Sequence, residues 1–208
     1  MLIIGAKGFA KEVLEIIYKN KIDEDIALFD DINPHMPDKM FGKFTVLKNE
    51  TEVRSFFKRT DPRFTIGIGN PHLREKMYNK FTNWGGILTS VISKKTDIGS
   101  FGVHINDGCN ILSGVKISNE VQIGMGVIVY YNCVITHDVA IGDFVELSPG
   151  VILLGGCKIG SMSHIGAGAI IFPNVIIGEN VRVGAGAVVR KNLPDNVVAV
   201  GVPAKIVK

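Results

Sequence analysis

The sequence lacks the features that mark several large classes of protein. Its 208 residues hold no apolar run near the roughly 18 residues of a membrane-spanning helix, and its three cysteines cannot form an even disulfide framework. The net charge of +3 comes from scattered basic residues, without the clustered patch that binding to a nucleic-acid backbone requires. The first residues, MLIIGAKGFAKE, have no basic leader, so we expect no signal peptide. These absences predict a cytoplasmic protein whose partners include neither membrane nor nucleic acid.

What the sequence does contain is a six-residue repeat that fills its second half. From Ile105 to Val189 every sixth residue is aliphatic, through fifteen consecutive hexads. A compact, mostly apolar residue follows each aliphatic residue four positions later, and the three cysteines fall in this column. Their spacing of 24 residues is four repeats, so we interpret Cys109, Cys133 and Cys157 as small core side chains rather than metal ligands.

Residues that tolerate a positive φ angle recur three positions after each aliphatic residue. Gly, Asn or Asp stands there in twelve of the fifteen hexads, with Gly114, Asn132 and Asp138 as examples. Each hexad is therefore predicted to form a short strand followed by a tight turn. Such units build a parallel β-helix, in which each coil rests on its neighbours.

Residues 98–194 resemble the left-handed β-helix acyltransferases with hexapeptide repeats, and the segment GVPAK matches that family's closing signature. The resemblance implies a left-handed winding with three hexads per coil, hence five regular coils. A further, irregular coil is expected near TDIGSFGV, where the repeat is one residue out of register. The γ-class carbonic anhydrases share this fold and bind zinc with the help of a His-x4-His pair, but this sequence has no such pair.

Residues 1–90 follow a different pattern, typical of alternating strands and helices. The segments MLIIGA, IALFDD and RFTIGIGN are predicted strands, and residues 32–43 are predicted to be irregular. Helices are expected after Gly8, after a cap at Asn49 or Thr51, and from Pro71. The order βαβαβα predicts a small Rossmann-like α/β domain with a parallel sheet, followed by the β-helix domain over residues 91–208.

The ends of the predicted strands carry a candidate ligand site. Ligands of such sheets bind beyond the carboxyl ends of the strands. These ends hold a Gly5-x-x-Gly8 turn, an acidic pair at Asp30 and Asp31, and the dipeptide Gly69–Asn70. A glycine turn leading into a helix can hold phosphate through backbone amides, and the acidic pair can hold ribose hydroxyls or a base. The full Gly-x-Gly-x-x-Gly motif is missing, and a purely structural turn is the alternative.

Over nearly the full length, the two halves together are similar to the NeuD- and PglD-type sugar O- and N-acetyltransferases. The matching segments are IIGAKGFAKEV, FDD, IGIGN and THDVAIGD. The resemblance implies that the first domain holds a nucleotide-linked sugar, commonly a UDP- or dTDP-linked 4-amino-sugar. It implies that acetyl-CoA is the cosubstrate, bound without a metal between neighbouring β-helices of a homotrimer. The implied activity is N-acetyl transfer in glycan or polysaccharide synthesis.

His137 lies within THDVAIGD, two residues after Ile135, where its side chain should point outward near a corner of the β-helix. Acetyl transfer to an amine needs a base, and imidazole, with an unperturbed pKa of about 6.5, can serve at neutral pH. The resemblance makes His137 the general base and Asp138 the carboxylate that orients it. Asp138 also occupies a positive-φ position, so its alternative role is conformational. The alternative for His137 is a solvated surface histidine.

Further contacts follow from the same resemblance. The acetyl-CoA contacts fall on small residues along the coil face: Gly155, Ala167 and Ala185. Arg190, Lys191 and Lys205, near the last coil, are candidates for the CoA phosphates, and ordinary solvated basic residues are the alternative. Separately, Glu146, His164 and Arg182 stand eighteen residues apart in one column. Since rungs of a sheet are about 4.8 Å apart, this column predicts a surface charge ladder.

The glycine turn departs from the family at one position. Many members have Gly-x-x-Gly-His, with the histidine facing the sugar, whereas this sequence has Phe9. Lys7 inside the turn is a candidate contact to a pyrophosphate. Because Phe9 offers no hydrogen bond to an amine, O-acetylation of a sugar such as sialic acid is an alternative activity. A non-catalytic trimer that senses nucleotide sugars is a second alternative.

Overall fold

The computed structural model describes residues 1–20 and 25–208, which form two compact units over Met1–Val91 and Ile92–Lys208. In chain order, the elements of the first unit are β1 (Leu2–Ile4), α1 (Phe9–Lys19), β2 (Ala27–Phe29), β3 (Lys39–Met40), β4 (Phe44–Leu47), α2 (Glu50–Arg59), β5 (Arg63–Ile66), α3 (Pro71–Asn83) and β6 (Ile87–Leu88).

The first unit is built around one sheet with the strand order β3-β4-β2-β1-β5-β6. Strands β4, β2, β1, β5 and β6 run parallel, and β3 pairs antiparallel with β4 at the edge. The predicted alternation of strands and helices is confirmed. The expectation that residues 32–43 are irregular is corrected, because they contain β3. Strands β3, β4 and β6 were not predicted, and β3 and β6, with two residues each, are too short to show a hydrophobic period.

Two of the three helices of the first unit, α2 and α3, begin where a polar side chain caps their free amides, whereas α1 begins at Gly8 without a side-chain cap. The Asn49 side chain accepts a hydrogen bond from the Glu52 amide at 3.0 Å, so Asn49 rather than Thr51 is the cap of α2. The Asn70 side chain accepts from the Leu73 amide at 3.0 Å, and Pro71 opens α3 as predicted. No helix in the described part of the chain has the length and apolarity to cross a membrane.

The second unit consists of short strands joined by tight turns. They are β7 (Val91–Ile92), β8 (Asp97–Ile98), β9 (His104–Ile105), β10 (Asn110–Ile111), β11 (Lys116–Ile117), β12 (Gln122–Ile123), β13 (Ile128–Val129), β14 (Val134–Ile135), β15 (Ala140–Ile141), β16 (Glu146–Leu147), β17 (Ile152–Leu153), β18 (Lys158–Ile159), β19 (His164–Ile165), β20 (Ile170–Ile171), β21 (Ile176–Ile177), β22 (Arg182–Val183), β23 (Val188–Val189), β24 (Val198–Val200) and β25 (Lys205–Ile206).

Apart from β25, which pairs antiparallel with β24, these strands stack into three parallel sheets, the faces of a β-helix. The first face contains β7, β10, β13, β16, β19, β22 and β24, the second contains β8, β11, β14, β17, β20 and β23, and the third contains β9, β12, β15, β18 and β21. Paired residues within a regular face lie eighteen positions apart, as in Ile117 and Ile135, so three hexads form one coil as expected. The irregular coil is confirmed, since Ile98 pairs with Ile117 across nineteen positions.

The two apolar columns of the repeat fill the interior of the β-helix. Cys109, Cys133 and Cys157 are fully buried in this core, which confirms their interpretation as core side chains. The turn positions behave as predicted except at Asn192, with positive φ at Asn132 and Asp138 as examples. Three turn positions held residues without that preference, and they adopt positive φ as well: Glu120, Phe144 and Met162. The hydrogen bonds between neighbouring coils therefore impose the turn even on side chains that disfavour it.

Candidate functional site

A cavity of about 690 Å³ opens beyond the carboxyl ends of β1, β2 and β5 in the first unit. We call it the strand-end cavity. Seven of the eight residues proposed to contact a nucleotide sugar line it: Gly5, Lys7, Gly8, Phe9, Asp30, Asp31 and Gly69. The eighth, Asn70, serves as the cap of α3. The ends of these strands therefore meet at a single concave surface of a size that suits a small-molecule ligand, and its use as a nucleotide-sugar site stays a prediction.

The glycine turn at one wall of this cavity is held by close backbone packing. Gly5 has a φ of 103°, and a Cβ there would stand 3.0 Å from the carbonyl oxygen of Gly67. Its amide donates to the Phe29 carbonyl at 2.9 Å. At Gly67 a Cβ would meet the Ala10 Cα at 2.7 Å, so α1 packs directly on the end of β5. The turn thus has a structural function whether or not it binds phosphate.

Asp30 and Asp31 have different surroundings although they are adjacent in sequence. The Asp30 carboxylate is buried and accepts hydrogen bonds from the Ile32 amide at 3.1 Å, the Asn33 amide at 2.9 Å and Asn33 Nδ2 at 2.6 Å. Burial opposes ionisation of Asp30, but these bonds and the charge of Lys7 hold its pKa below the usual value. Lys7 itself donates to Asn33 Oδ1. Asp30 therefore organises the loop after β2.

Asp31 instead lies at the cavity surface in an ion pair with Lys80. Its Oδ2 is 3.1 Å from Lys80 Nζ, and both side chains are about one-third exposed. The Lys80 ammonium also lies 4.7 Å from the centroid of the Trp84 ring and 5.5 Å from that of Phe29. Phe9 is 8% exposed and contributes an apolar wall.

Several lining residues were missed from the sequence: Ile32, Asn33, Leu73, Lys76, Met77 and Lys80. Four of them belong to α3, where they recur at helical spacing. Because α3 begins at Pro71, next to the predicted site, its face pointing toward the strand ends could have been included.

His137 lies in the second unit, at the turn that follows β14. Its Nδ1 is 2.6 Å from Asp138 Oδ2, and both side chains are exposed. Asp138 has a φ of 59°, so it occupies the positive-φ position of the turn as well as contacting the ring. A Cβ placed at Gly155 would lie 2.6 Å from Cε1 of the imidazole, which puts the ring against the next coil. Within residues 1–20 and 25–208, Nε2 of His137 has no hydrogen-bond partner.

The proposed acetyl-CoA contacts occupy two different corners of the β-helix. Gly155 and Lys191 follow the second face at the same turn position as His137, and we call this column the His137 corner. Ala167 and Ala185 follow the first face, in adjoining coils, and form the Ala167 corner. One chain therefore does not bring all of these residues together.

Basic residues lie near the last coil as expected. Arg190 is exposed and lies 5.8 Å from the Phe172 ring centroid, beside the His137 corner. Lys205 is exposed in β25, which pairs antiparallel with β24.

The predicted stacking of Glu146, His164 and Arg182 in one column is confirmed on the first face. Glu146 pairs in register with His164, and His164 with Arg182. His164 Nε2 is 3.7 Å from Glu146 Oε1 and 2.9 Å from Ser148 Oγ. In the described residues, no group of His, Cys, Asp and Glu side chains could hold a metal ion.

Two family profiles match the chain. Residues 1–81 match the PglD N-terminal domain, and residues 156–191 match the bacterial transferase hexapeptide family with six repeats. Among curated protein sequences, none matches this chain.

Solved structures match the chain over almost its whole length. A perosamine N-acetyltransferase from Caulobacter crescentus, in complex with CoA and GDP-perosamine, is 31% identical, with a TM-score of 0.91 over 100% of this chain and 96% of that one. WeeI from Acinetobacter baumannii AYE is 30% identical, with a TM-score of 0.90 over 99% and 98%. The acetyltransferase domain of PglB from Neisseria gonorrhoeae, in complex with acetyl coenzyme A, is 27% identical, with a TM-score of 0.85 over 99% and 98%.

Proposed function

The chain belongs to the NeuD/PglD-type sugar acetyltransferases and is an acetyl-CoA-dependent enzyme with a left-handed β-helix; from this premise we propose that it acetylates the amino group of a nucleotide-linked amino-sugar, with His137 as general base. The observation that carries the proposal is the 2.6 Å contact between His137 Nδ1 and Asp138 Oδ2. With Asp138 ionised, Nδ1–H donates to the carboxylate, and Nε2 keeps the lone pair that can accept a proton.

The reaction needs one proton acceptor. The amine nitrogen attacks the thioester carbonyl carbon, a C–N bond forms, and the C–S bond to CoA breaks. Nε2 of His137 takes the proton that the amine loses, and the imidazolium then returns it to the CoA sulfur. Asp138 stabilises the imidazolium while it exists. The products are the N-acetylated sugar and CoA with a free thiol.

The active form is proposed to be a homotrimer. The residues carried over from the family for acetyl-CoA lie at two corners of one β-helix, so the His137 corner of one chain and the Ala167 corner of a neighbour would complete one site. The outward row of the second face supports such packing because it is apolar and half-buried: Val134, Ile152, Ile170 and Val188. Lys191 extends the His137 corner toward the last coil, where its charge suits a CoA phosphate.

The strand-end cavity is proposed to hold the nucleotide part of the acceptor. It combines the Gly5–Gly8 turn, Lys7 and Lys76 for the diphosphate with Asp31 for the nucleoside. Gly69 belongs to the wall formed after β5, and Asn70 contributes by fixing the start of α3. The apolar ring of Phe9 suits packing against a sugar rather than a hydrogen bond to its amine.

The test is an acceptor screen with acetyl-CoA. GDP-, UDP- and dTDP-linked 4-amino-sugars and free sialic acid are each incubated with the enzyme, and the released CoA thiol is measured together with the mass of the sugar product. We expect a 42 Da increase on a nucleotide-linked amino-sugar, with one thiol released per acetyl group.

Two other outcomes would contradict the proposal. Thiol release with sialic acid alone would assign the enzyme to O-acetylation. That activity is compatible with Phe9, which replaces the histidine of many family members and cannot form a hydrogen bond to an amine. Binding of nucleotide sugars without release of thiol from any acceptor would indicate a sensor rather than an enzyme. Light scattering checks the assembly, for which we expect three times the mass of the chain.

A further inference from the structure

The strand-end cavity contains a polar pair and two exposed apolar side chains whose arrangement points to one class of base. We propose that this cavity selects a guanine nucleotide, with Asp31 and Lys80 reading the hydrogen-bonding edge of the base. The inference rests on the proposed function, because it names the nucleotide that carries the acceptor sugar. It goes beyond the expectation of a UDP- or dTDP-linked substrate.

Asp31 is the carboxylate of the acidic pair that remains available to a ligand. Asp30 directs both of its oxygens into its own loop, toward the Ile32 amide and toward the amide and side chain of Asn33. Asp31 lies at the surface of the cavity and shares its Oδ2 with Lys80 at 3.1 Å. A carboxylate is an acceptor only, so Asp31 can pair with neighbouring N–H groups but not with a carbonyl.

Lys80 supplies a donor beside this acceptor. Its ammonium carries three protons, of which the contact with Asp31 uses one. The centroids of the Trp84 and Phe29 rings lie 4.7 Å and 5.5 Å from Nζ, and these cation–π contacts restrict the position of the ammonium group. Together, Lys80 and Asp31 present one donor followed by two acceptor oxygens.

This order of groups matches guanine better than the other bases. Guanine presents O6 as an acceptor, then N1–H and the N2 amino group as donors, so all three positions pair. Uracil and thymine present an acceptor, one donor and a second acceptor, and their O2 would face a carboxylate oxygen without a proton between them. Adenine presents only one donor and one acceptor. A polar group left without a partner in the site lowers affinity, so the mismatch discriminates between the bases.

Two apolar side chains on the same cavity suit the flat faces of a purine. Ile32 is 80% exposed and Leu73 is 37% exposed, and both line the strand-end cavity. A bound ring would remove their apolar surface from water, and a purine covers more of it than a pyrimidine does. The polar pair sets which edge is read, and this apolar contact favours the larger ring.

The test is calorimetric titration of the full chain with GDP, UDP, dTDP and ADP. Because the diphosphate is common to all four, differences in Kd report the base. We expect GDP to bind about tenfold or more tightly than each of the others, the discrimination typical of one good bidentate contact to a base. UDP, dTDP or ADP binding as tightly as GDP would overturn the inference and leave the proposed transferase intact. If no nucleotide binds, the proposed acceptor class itself is wrong.

The variant Asp31→Asn tests the same inference, because it is expected to shift the preference of the cavity from GDP toward UDP and dTDP. An amide replaces one acceptor oxygen by a donor, which matches the N3–H and O2 of uracil or thymine, so we expect GDP to lose affinity and UDP and dTDP to gain it. Asp38→Asn, at an exposed carboxylate in the adjoining loop, should leave the order of affinities unchanged. Lys76→Met should weaken all four nucleotides alike. An Asp31→Asn variant that keeps the wild-type order would contradict the assignment of Asp31.

Discussion

The imidazole of His137 lies against the backbone of Gly155, eighteen residues further along the chain and one coil away. A Cβ at Gly155 would stand 2.6 Å from Cε1 and 2.8 Å from Nε2 of the ring. On its other side, the ring contacts Asp138 through Nδ1 at 2.6 Å. These two contacts define where the ring lies, although the side chain is exposed in a single chain.

Gly155→Ala is expected to displace the ring without unfolding the protein. The atoms that the new methyl group meets belong to an exposed side chain that can move. Since a displacement of about 1 Å can cost about a hundredfold in rate, we expect kcat to fall by that order while the melting temperature changes little. In a His137→Ala background the same substitution should have no further effect on kcat. An unchanged kcat for Gly155→Ala alone would argue against a role for the position of this ring.

His137→Ala removes the proposed base. We expect kcat to fall by about a hundredfold to ten-thousandfold, which is the usual contribution of general base catalysis. Calorimetric affinity for CoA and the assembled mass should stay as in the wild type, since the proposal gives the ring a part in proton transfer only. His104→Ala, at an exposed position outside the proposed site, is the matched control and should retain wild-type turnover. Wild-type rates for His137→Ala would refute the mechanism.

Asp138→Asn separates the two roles that the structure allows for this residue. Asparagine tolerates the φ of 59° found here, so the turn should survive and the melting temperature should not change. If the carboxylate orients His137, kcat falls about tenfold or more, because the amide no longer stabilises the imidazolium. If the residue serves only the turn, Asp138→Asn and Asp138→Gly will both show wild-type kcat.

The β-helix was predictable in detail because each position of its repeat recurs in fifteen hexads. Residues eighteen positions apart could therefore be aligned from the sequence alone, and this placed His164 between Glu146 and Arg182. The first unit has no repeat, so each of its strands had to be predicted from a single short segment. The two-residue strands β3 and β6 show no period, and their pairing depends on neighbours distant in the sequence.

Of the candidate site in the first unit, the position could be predicted from the sequence, but some of its side-chain contacts could not. The strand-end cavity follows from the order of strands, since parallel strands bring their carboxyl ends together. The contact between Asp31 and Lys80 spans 49 residues, and only the packing of α3 on the sheet brings these side chains together. The positive φ angles at Phe144 and Met162 were likewise unpredictable from residue type, because stacking of coils overrides local preference.

The three cysteines should be unreactive in the folded protein. Burial raises the pKa of Cys109 and Cys157 to about 12 and that of Cys133 to about 11, so the thiolate is scarce at pH 8. A thiol reagent should detect none of the three thiols in the native protein and all three in guanidinium chloride. The CoA thiol could then be assayed without background. Rapid native labelling of any cysteine would contradict the fully buried core position of that residue.

Asp61 should make the stability of the first unit depend on pH. Burial alone would raise its pKa, but the Arg63 side chain and the amine of Met1 outweigh burial and hold the pKa at about 2. Oδ2 lies 2.8 Å from the Met1 amine and 3.0 Å from Arg63 Nη2. Because this pKa is below the value of about 3.9 for an unfolded aspartate, the stabilisation is complete at neutral pH and is lost as the pH falls through about 2.

Asp61→Asn is therefore expected to lower the free energy of unfolding by about 2 kcal/mol at pH 7. Denaturant titrations at decreasing pH should show this deficit shrinking below about pH 4, where the unfolded wild type begins to bind the extra proton. Asp97→Asn is the matched control, since its contact with Lys116 is 3.8 Å long and highly exposed, and exposed pairs of this kind contribute little. A deficit of equal size at neutral and acid pH would mean that Asp61 stabilises the fold by packing or by neutral hydrogen bonds, and that its charge has no part in it.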